Sequence, residues 1–222
     1  MSQHLYILTG ASRGMGLAMA QQLLQPGHSL VCISRQANAE LAQAARAADV
    51  PLAQWTHNLA DGESASDRLR SWLASQNASQ WQEATLINNA AALPRIAPLA
   101  QSHAHELATV LRVKWSMPAM ASQSAYCAVK AGMDHFTRCL ALEEELKPHG
   151  AKVCSLAPGV IDTDMQVQLR GAQAHDFPDQ PRFAQLKERG LLSSPQEAAA
   201  SVLAYLARAD FGSQPVADVR EP

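Results

Sequence analysis

Tyr126-Cys127-Ala128-Val129-Lys130 sets a phenol and an amine four residues apart. On a helix that spacing lies on one face, so both side chains reach the same point. A free phenol titrates at about 10, too high for proton transfer at neutral pH. A nearby ammonium favours the phenolate and lowers that value, and the tyrosine can then give a proton to a carbonyl oxygen as hydride reaches the carbon. Such pairs also arise by chance, and this one gains weight from a second group near the N-terminus. Thr9-Gly10-Ala11-Ser12-Arg13-Gly14-Met15-Gly16 stands where an apolar run meets a helical pattern. Glycines there serve either close strand–helix packing or a turn whose backbone approaches a pyrophosphate at a helix N-terminus. The strand–turn–helix context favours the dinucleotide. After the second apolar run the chain reads Ser34-Arg35-Gln36, with no acid to bind a ribose 2′-hydroxyl. Arg13, Arg35 and Ser34 instead suit a 2′-phosphate, so the cofactor expected is NADP(H).

These residues need a scaffold, and the chain is large enough to supply one. It has 222 residues, 47% of them hydrophobic and 17% charged, as expected of a globular protein with a proper core. A net charge of -2 argues against a nucleic-acid or membrane-surface binder. No run approaches the roughly 20 apolar residues of a membrane span, and Met1-Ser2-Gln3-His4 lacks the basic start of a secretory leader. Four scattered cysteines without CxxC spacing imply neither zinc nor a disulfide framework. A reducing, cytoplasmic location is expected. His103 and His105 do not meet on a helix, so no metal is expected there. Trp55, Trp72, Trp81 and Trp115 read as packing residues, and Glu143-Glu144-Glu145 as a solvated helix face.

Short β-branched runs alternate with Ala/Leu-rich helical stretches. Strands are expected at 4–8, 29–34, 51–56, 84–87, 151–156 and 215–219. Helices are expected at 14–25, 38–48 with Asn38 as N-cap, 63–76 with Leu69, Trp72 and Leu73 on one face, 103–113, 122–146 and 195–208. That order predicts a single-domain α/β fold over 1–222: a Rossmann-type, doubly wound parallel sheet with helices on both faces. The polar stretch 166–190, broken by Pro178 and Pro181, reads as a loop-like lid over the substrate.

With Thr9 to Gly16, Asn88-Asn89-Ala90-Ala91, Tyr126 to Lys130 and Pro158-Gly159-Val160-Ile161-Asp162-Thr163 in this order, the sequence resembles the short-chain dehydrogenase/reductase family along nearly its whole length. Ile161-Asp162-Thr163-Asp164-Met165-Gln166, with Phe183, Leu186-Lys187 and Leu191, is similar to the sepiapterin reductase and benzil reductase branch. The resemblance implies that Tyr126 is the general acid and that Lys130 holds the nicotinamide ribose while tuning Tyr126. It implies cofactor contacts from Gly10, Ser12, Arg13, Gly14, Met15, Gly16, Ser34 and Arg35. Asn58, Leu59, Asn88 and Ala90 would lie along adenine and ribose; the family more often has Asp where Asn58 stands. Pro158, Gly159, Ile161 and Thr163 would contact the nicotinamide. It also implies a homodimer, through the long helix, or a homotetramer. Met165 and Phe183 either line the substrate site or pack the lid.

The family also carries a serine on the strand before the tyrosine helix, which polarises the substrate carbonyl, and usually an asparagine on the preceding helix. Neither is identifiable here. Only 37 residues separate Asn88 from Tyr126, too few for the loop, helix, strand and active-site loop that belong there. Ser116, Ser122 and Ser124 are not assigned the serine's role, and Lys114 is not assigned the asparagine's. An internal segment near 113–115 is therefore expected to be absent from the sequence, a break that the Cα spacing from Arg112 to Ser116 would test. A true deletion there would leave an impaired enzyme.

Taken together, the expected function is NADPH-dependent reduction of a small hydrophobic or aromatic ketone, diketone or pterin-type carbonyl. The alternatives are a 3-oxoacyl-carrier reductase and a catalytically impaired NADP-binding scaffold. Any such reductase requires the Tyr126 hydroxyl to face a cleft rather than packed interior.

Overall fold

The computed structural model describes residues 3–91, 96 and 122–221. The expected helix at 103–113, the junction at 113–115 with its Cα spacing, Lys114, Trp115, Ser116, His103 and His105 lie outside the described residues.

The chain divides into two units, Met1–Ala90 and Ala91–Pro222. In the first, β1 (His4–Thr9), β2 (His28–Ser34), β3 (Leu52–Thr56) and β4 (Glu83–Ile87) form a parallel sheet in the order β3-β2-β1-β4. Alternation with period two puts Leu5 and Ile7 of β1 and Val31 and Ile33 of β2 on one buried face. There α3 (Gly62–Ser75) lays Leu69 and Trp72, joined by Trp55, Trp81 and Leu59. Each fully buried aliphatic side chain contributes about 1.5–3 kcal/mol. Trp72 meets Trp55 edge-on at 5.6 Å and Trp81 at 5.9 Å. Leu73, expected on the same helix face, is exposed instead. The helix α1 (Gly14–Gln22) packs on β1 and on α2 (Ala39–Ala47), burying Met15, Ala18 and Met19. It ends before Gln25 because Leu23 already caps it ahead of Pro26-Gly27. Asn38 is the N-cap of α2, accepting from the Leu41 N–H at 2.8 Å. On β4, which pairs with β1 and ends the described sheet, Leu86 is exposed.

In the second unit, α4 (Ser124–Glu145) packs on β5 (Ser155–Ala157) and β6 (Val216–Asp218), which pair in parallel. Ser122, expected at the helix start, lies before it with a φ of 59°, and Gln123 is the N-cap. The expected strand at 151–156 begins only at Ser155. Glu144, expected in solvent, is half-buried and accepts from the Lys147 ammonium and, at 2.9 Å, from the Ala151 N–H. It thereby ties the helix end to the turn.

The stretch 166–190 is not loop-like. It folds largely into α5 (Asp164–Arg170) and α6 (Gln180–Glu188), which pack on each other. Pro181 stands in the first turn of α6, where a missing N–H costs nothing, so it starts a helix rather than breaking one. The helix α7 (Pro195–Leu206) opens with a capping box between Ser194 and Glu197.

These parallel strands with helices on both faces are the expected Rossmann-type α/β fold.

Candidate active site

The glycine turn of the first unit is built for close backbone approach. Gly10 has a φ of 73°, and a Cβ there would meet the Ala90 Cα at 2.9 Å. A Cβ on Gly16 would meet the Gly10 carbonyl oxygen at 2.2 Å and the Asn89 amide nitrogen at 2.4 Å. Arg13 is the extended N-cap residue of α1, whose first turn, with Gly14, Met15 and Gly16, carries no acid. An anion is therefore favoured at that helix end. Asn89 donates to the Thr9 carbonyl at 3.0 Å, and the Ala90 N–H donates to Thr9 Oγ1 at 3.0 Å. The Asn88-Asn89 stretch thus pins the turn.

On the other side, Asn38 donates from its amide to the Ser12 carbonyl at 3.1 Å. Gln54 grips Asn38 twice: its Oε1 accepts from the Asn38 N–H at 2.7 Å, and its Nε2 donates to the Asn38 carbonyl at 2.9 Å. At the end of β2, Ser34 is buried and Arg35 exposed. Asn58 is exposed and accepts from the Ala60 N–H at 3.2 Å, as in an Asx turn. Leu59 packs under β1 and β2. Asn89, Asn38 and Gln54 were not assigned to the site from sequence. The cap role of Asn38 was visible, but its reach to Ser12 and its pairing with Gln54 depend on strand register.

In the second unit, Tyr126 and Lys130 share one face of α4. The Lys130 Nζ lies over the Tyr126 ring, 4.9 Å from its centre. Tyr126 is 4% exposed and clusters with Val129, Leu169, Phe177 and Phe183. Its hydroxyl donates to Met165 Sδ at 3.7 Å, a weak acceptor. Met165 and Phe183 therefore pack against Tyr126 in this arrangement, and the hydroxyl faces packed apolar side chains. For a carbonyl to accept from this hydroxyl, Met165 must give up that place.

The expected lowering of the phenol is not found. Burial pushes Tyr126 up to about 12, and Cys127 adds to the rise. Lys130, with no exposed surface, is pushed down to about 6 by the same desolvation, which Asp134 opposes.

Gly159 has a φ of 83° in the turn after β5. Ile161 bridges Ser193, and the Asp162 N–H donates to the Ser193 carbonyl at 2.9 Å. These bonds close the base of the α5–α6 excursion. Thr163 is the N-cap residue of α5 and makes no side-chain capping bond. Asp162 accepts from Lys187 and, at 3.5 Å, from Arg170, and these cations hold its carboxyl below the usual range. Pro158, Gly159, Ile161 and Thr163 thus follow one another along the chain from β5 to the start of α5.

A family model described as short chain dehydrogenase matches residues 4–116 and 114–174. The chain belongs to the short-chain dehydrogenases. It carries the family's NAD(P)-binding fold and oxidoreductase character. Among relatives of this short-chain dehydrogenase, the benzil reductase ((S)-benzoin forming) of Bacillus subtilis is 30% identical, with 98% of each chain covered. That of Bacillus cereus is 28% identical over 92% of this chain and 94% of its own. The crystal structure of a 3-oxoacyl-[acyl-carrier protein] reductase from Brucella melitensis in complex with NAD superposes with a TM-score of 0.75 at 18% identity. It covers 99% of this chain and 96% of that one, a likeness of fold.

The two family matches meet at 114–116. The B. subtilis alignment runs over 247 positions, whereas 98% of 222 residues is about 218. About 29 positions of that enzyme therefore face no residue in this short-chain dehydrogenase.

No helix among the described residues is long and apolar enough to cross a membrane, and no described group of His, Cys, Asp or Glu could hold a metal ion.

Proposed function

We propose that the chain is an NADPH-dependent reductase acting on a small hydrophobic or aromatic ketone, diketone or pterin-type carbonyl, with Tyr126 as general acid. The observation that carries this is the pairing of Tyr126 with Lys130, whose nitrogen lies 4.9 Å from the centre of the phenol ring, in a chain of the short-chain dehydrogenase family; because the hydroxyl is packed against Met165, the reading requires that packing to open when a carbonyl binds. A carbonyl oxygen is a better acceptor than sulfur and would take the proton in its place. The aromatic and aliphatic surroundings suit an apolar substituent on that carbonyl. The two Bacillus relatives, named as benzil reductases, support this substrate class.

The residues present fit a dinucleotide. At Gly10 and Gly16 a Cβ would strike Ala90, Asn89 and the Gly10 carbonyl, so the glycines let the turn close tightly against the end of β4 at the start of α1, where a pyrophosphate would bind. Ser12, Arg13, Gly14 and Met15 complete that cradle. Ser34, Arg35 and Arg13 would hold the 2′-phosphate; Asn58, Leu59, Asn88 and Ala90 would flank adenine and ribose. Lys130 would hold the second ribose, and Pro158, Gly159, Ile161 and Thr163 the nicotinamide. When bound, NADPH supplies the hydride. Tyr126 supplies the proton to the carbonyl oxygen, and Met165, Phe177 and Phe183 keep water from it.

The reading includes a cytoplasmic location and assembly as a homodimer or homotetramer, the assembly supported by apolar Phe136 and Leu142 exposed on α4 and Leu146 exposed at its C-cap. The test is oxidation of NADPH, against NADH, with aryl ketones, 1,2-diketones, a pterin side-chain ketone and a 3-oxoacyl thioester. Turnover with the diketones and a preference for NADPH are expected; preference for the thioester would sink the substrate assignment.

A second reading, an impaired NADP-binding scaffold, is favoured by the family matches meeting at 114–116 and by the unmatched positions of the Bacillus enzyme. It predicts NADPH binding without turnover on the whole panel.

A further inference from the structure

Asn38 ties the segment after β2 to the glycine turn. Its side-chain oxygen accepts from the Leu41 N–H at 2.8 Å, and its amide nitrogen donates to the Ser12 carbonyl at 3.1 Å. Its own backbone is held by Gln54 of β3, whose carboxamide accepts from the Asn38 N–H at 2.7 Å and donates to the Asn38 carbonyl at 2.9 Å. The Gln54 amide thus binds both backbone groups of one residue, as the peptide groups of a neighbouring strand would. Capping α2 requires of the side chain only the first of these four bonds, and a serine or aspartate would supply it. The other three fix where Asn38 sits and what it reaches.

What they fix lies on either side of the proposed 2′-phosphate site. Gln54 stands two residues before Thr56, the register partner of Ser34 at the end of β2. Between Ser34 and Asn38 run only Arg35, Gln36 and Ala37, all exposed. That span is anchored by the strand at one end and by Gln54, through Asn38, at the other. Across from it the Ser12 carbonyl is held by Asn38, and in a planar trans peptide the Arg13 N–H then points the opposite way. One side chain therefore sets the Arg35 segment and the Ser12–Arg13 peptide relative to each other. We propose that Asn38, locked by Gln54, is the positioning residue for recognition of the cofactor's 2′-phosphate: it holds the Arg35 segment in a fixed place against the glycine turn, so that the phosphate meets a preformed anion site. This rests on the NADP(H) reading of that site. Donors already in place bind an anion without first being ordered, and the selectivity follows from that saving.

Asn38→Ser tests the inference, because a serine hydroxyl still caps α2 while the bond to the Ser12 carbonyl is gone. The full chain is titrated by calorimetry with 2′,5′-ADP and with AMP, which differ only in the 2′-phosphate. The wild type is expected to bind 2′,5′-ADP at least about tenfold more tightly. In Asn38→Ser that ratio is expected to fall about fivefold, with the affinity for AMP kept within about twofold. Gln54→Met, which removes both bonds to the Asn38 backbone, should lower the ratio by a similar factor; if it does not fold, Asn38→Ser decides alone. A merely structural role would lower the melting temperature or weaken both ligands alike with the ratio intact, and that result overturns the proposal. In an Arg35→Ala background Asn38→Ser should lower the ratio by less than in the wild type, because it acts through Arg35; full additivity also overturns it. A wild type that binds the two ligands equally ends the NADP(H) reading and the selectivity role with it, whereas a wild-type preference kept by both variants ends the proposal alone.

Discussion

Tyr126 and Lys130 are placed in a way that sets function against stability. Tyr126→Phe removes only the hydroxyl and its contact with Met165. Carbonyl reduction is expected to fall by at least about 10³-fold while NADPH affinity stays within about twofold, read by steady-state kinetics and calorimetry. Lys130→Met should abolish turnover as well, yet stabilise the fold. Burial pushes the folded lysine down to about 6 from its ordinary 10.5. Between those values the unfolded chain holds a proton that the folded chain lacks, so falling pH favours unfolding. Below about 6 both states hold it and the penalty stops growing. The gain of the Met variant should therefore rise from pH 10.5 down to about 6 and then level. At pH 7 a gain of about 1–2 kcal/mol, or about 3–6 °C in melting temperature, is expected. The tyrosine–lysine spacing was legible because a helix converts four residues into one face. The direction of the phenol shift was not, since it depends on Leu169, Phe177 and Phe183 arriving from α5, the connection after it and α6.

The glycine turn works only while β1, α1 and the strand end at Asn89 hold it together. Gly16→Ala puts a methyl against the Gly10 carbonyl and the Asn89 amide. Loss of about 2–4 kcal/mol and at least tenfold weaker NADPH binding are expected, measured by denaturant unfolding and fluorescence titration. Gly132→Ala is the control. Nothing stands within 4 Å of the added methyl inside α4, so stability should rise by about 0.5–1 kcal/mol. Most elements were readable from alternation and from the Asn38 cap. The region 166–190 was misread because its polar residues and two prolines match a loop. Its apolar side chains, Leu169, Phe177 and Phe183, are spaced too irregularly to show that they bury against Tyr126. Pro181 was taken as a breaker although the first turn of a helix tolerates it.

For the whole molecule, the open matter is the stretch around 113–115. The sequence exposed it through simple arithmetic, since a strand–helix unit does not fit between Asn88 and Tyr126. Inserting between Val113 and Trp115 a strand–helix segment of roughly 30 residues should raise diketone turnover at least about tenfold and melting temperature by about 5 °C. No gain would overturn the inference of an absent segment at 113–115. The tryptophan cluster decides how such experiments must be read. Trp55, Trp72 and Trp81, three of the four indoles, all sit in Met1–Ala90. Intrinsic fluorescence is consequently weighted toward the nucleotide-turn half, with Trp115 the single indole in the half bearing Tyr126. Only agreement between emission and far-ultraviolet dichroism during melting would establish that residues 1–222 unfold as one cooperative body.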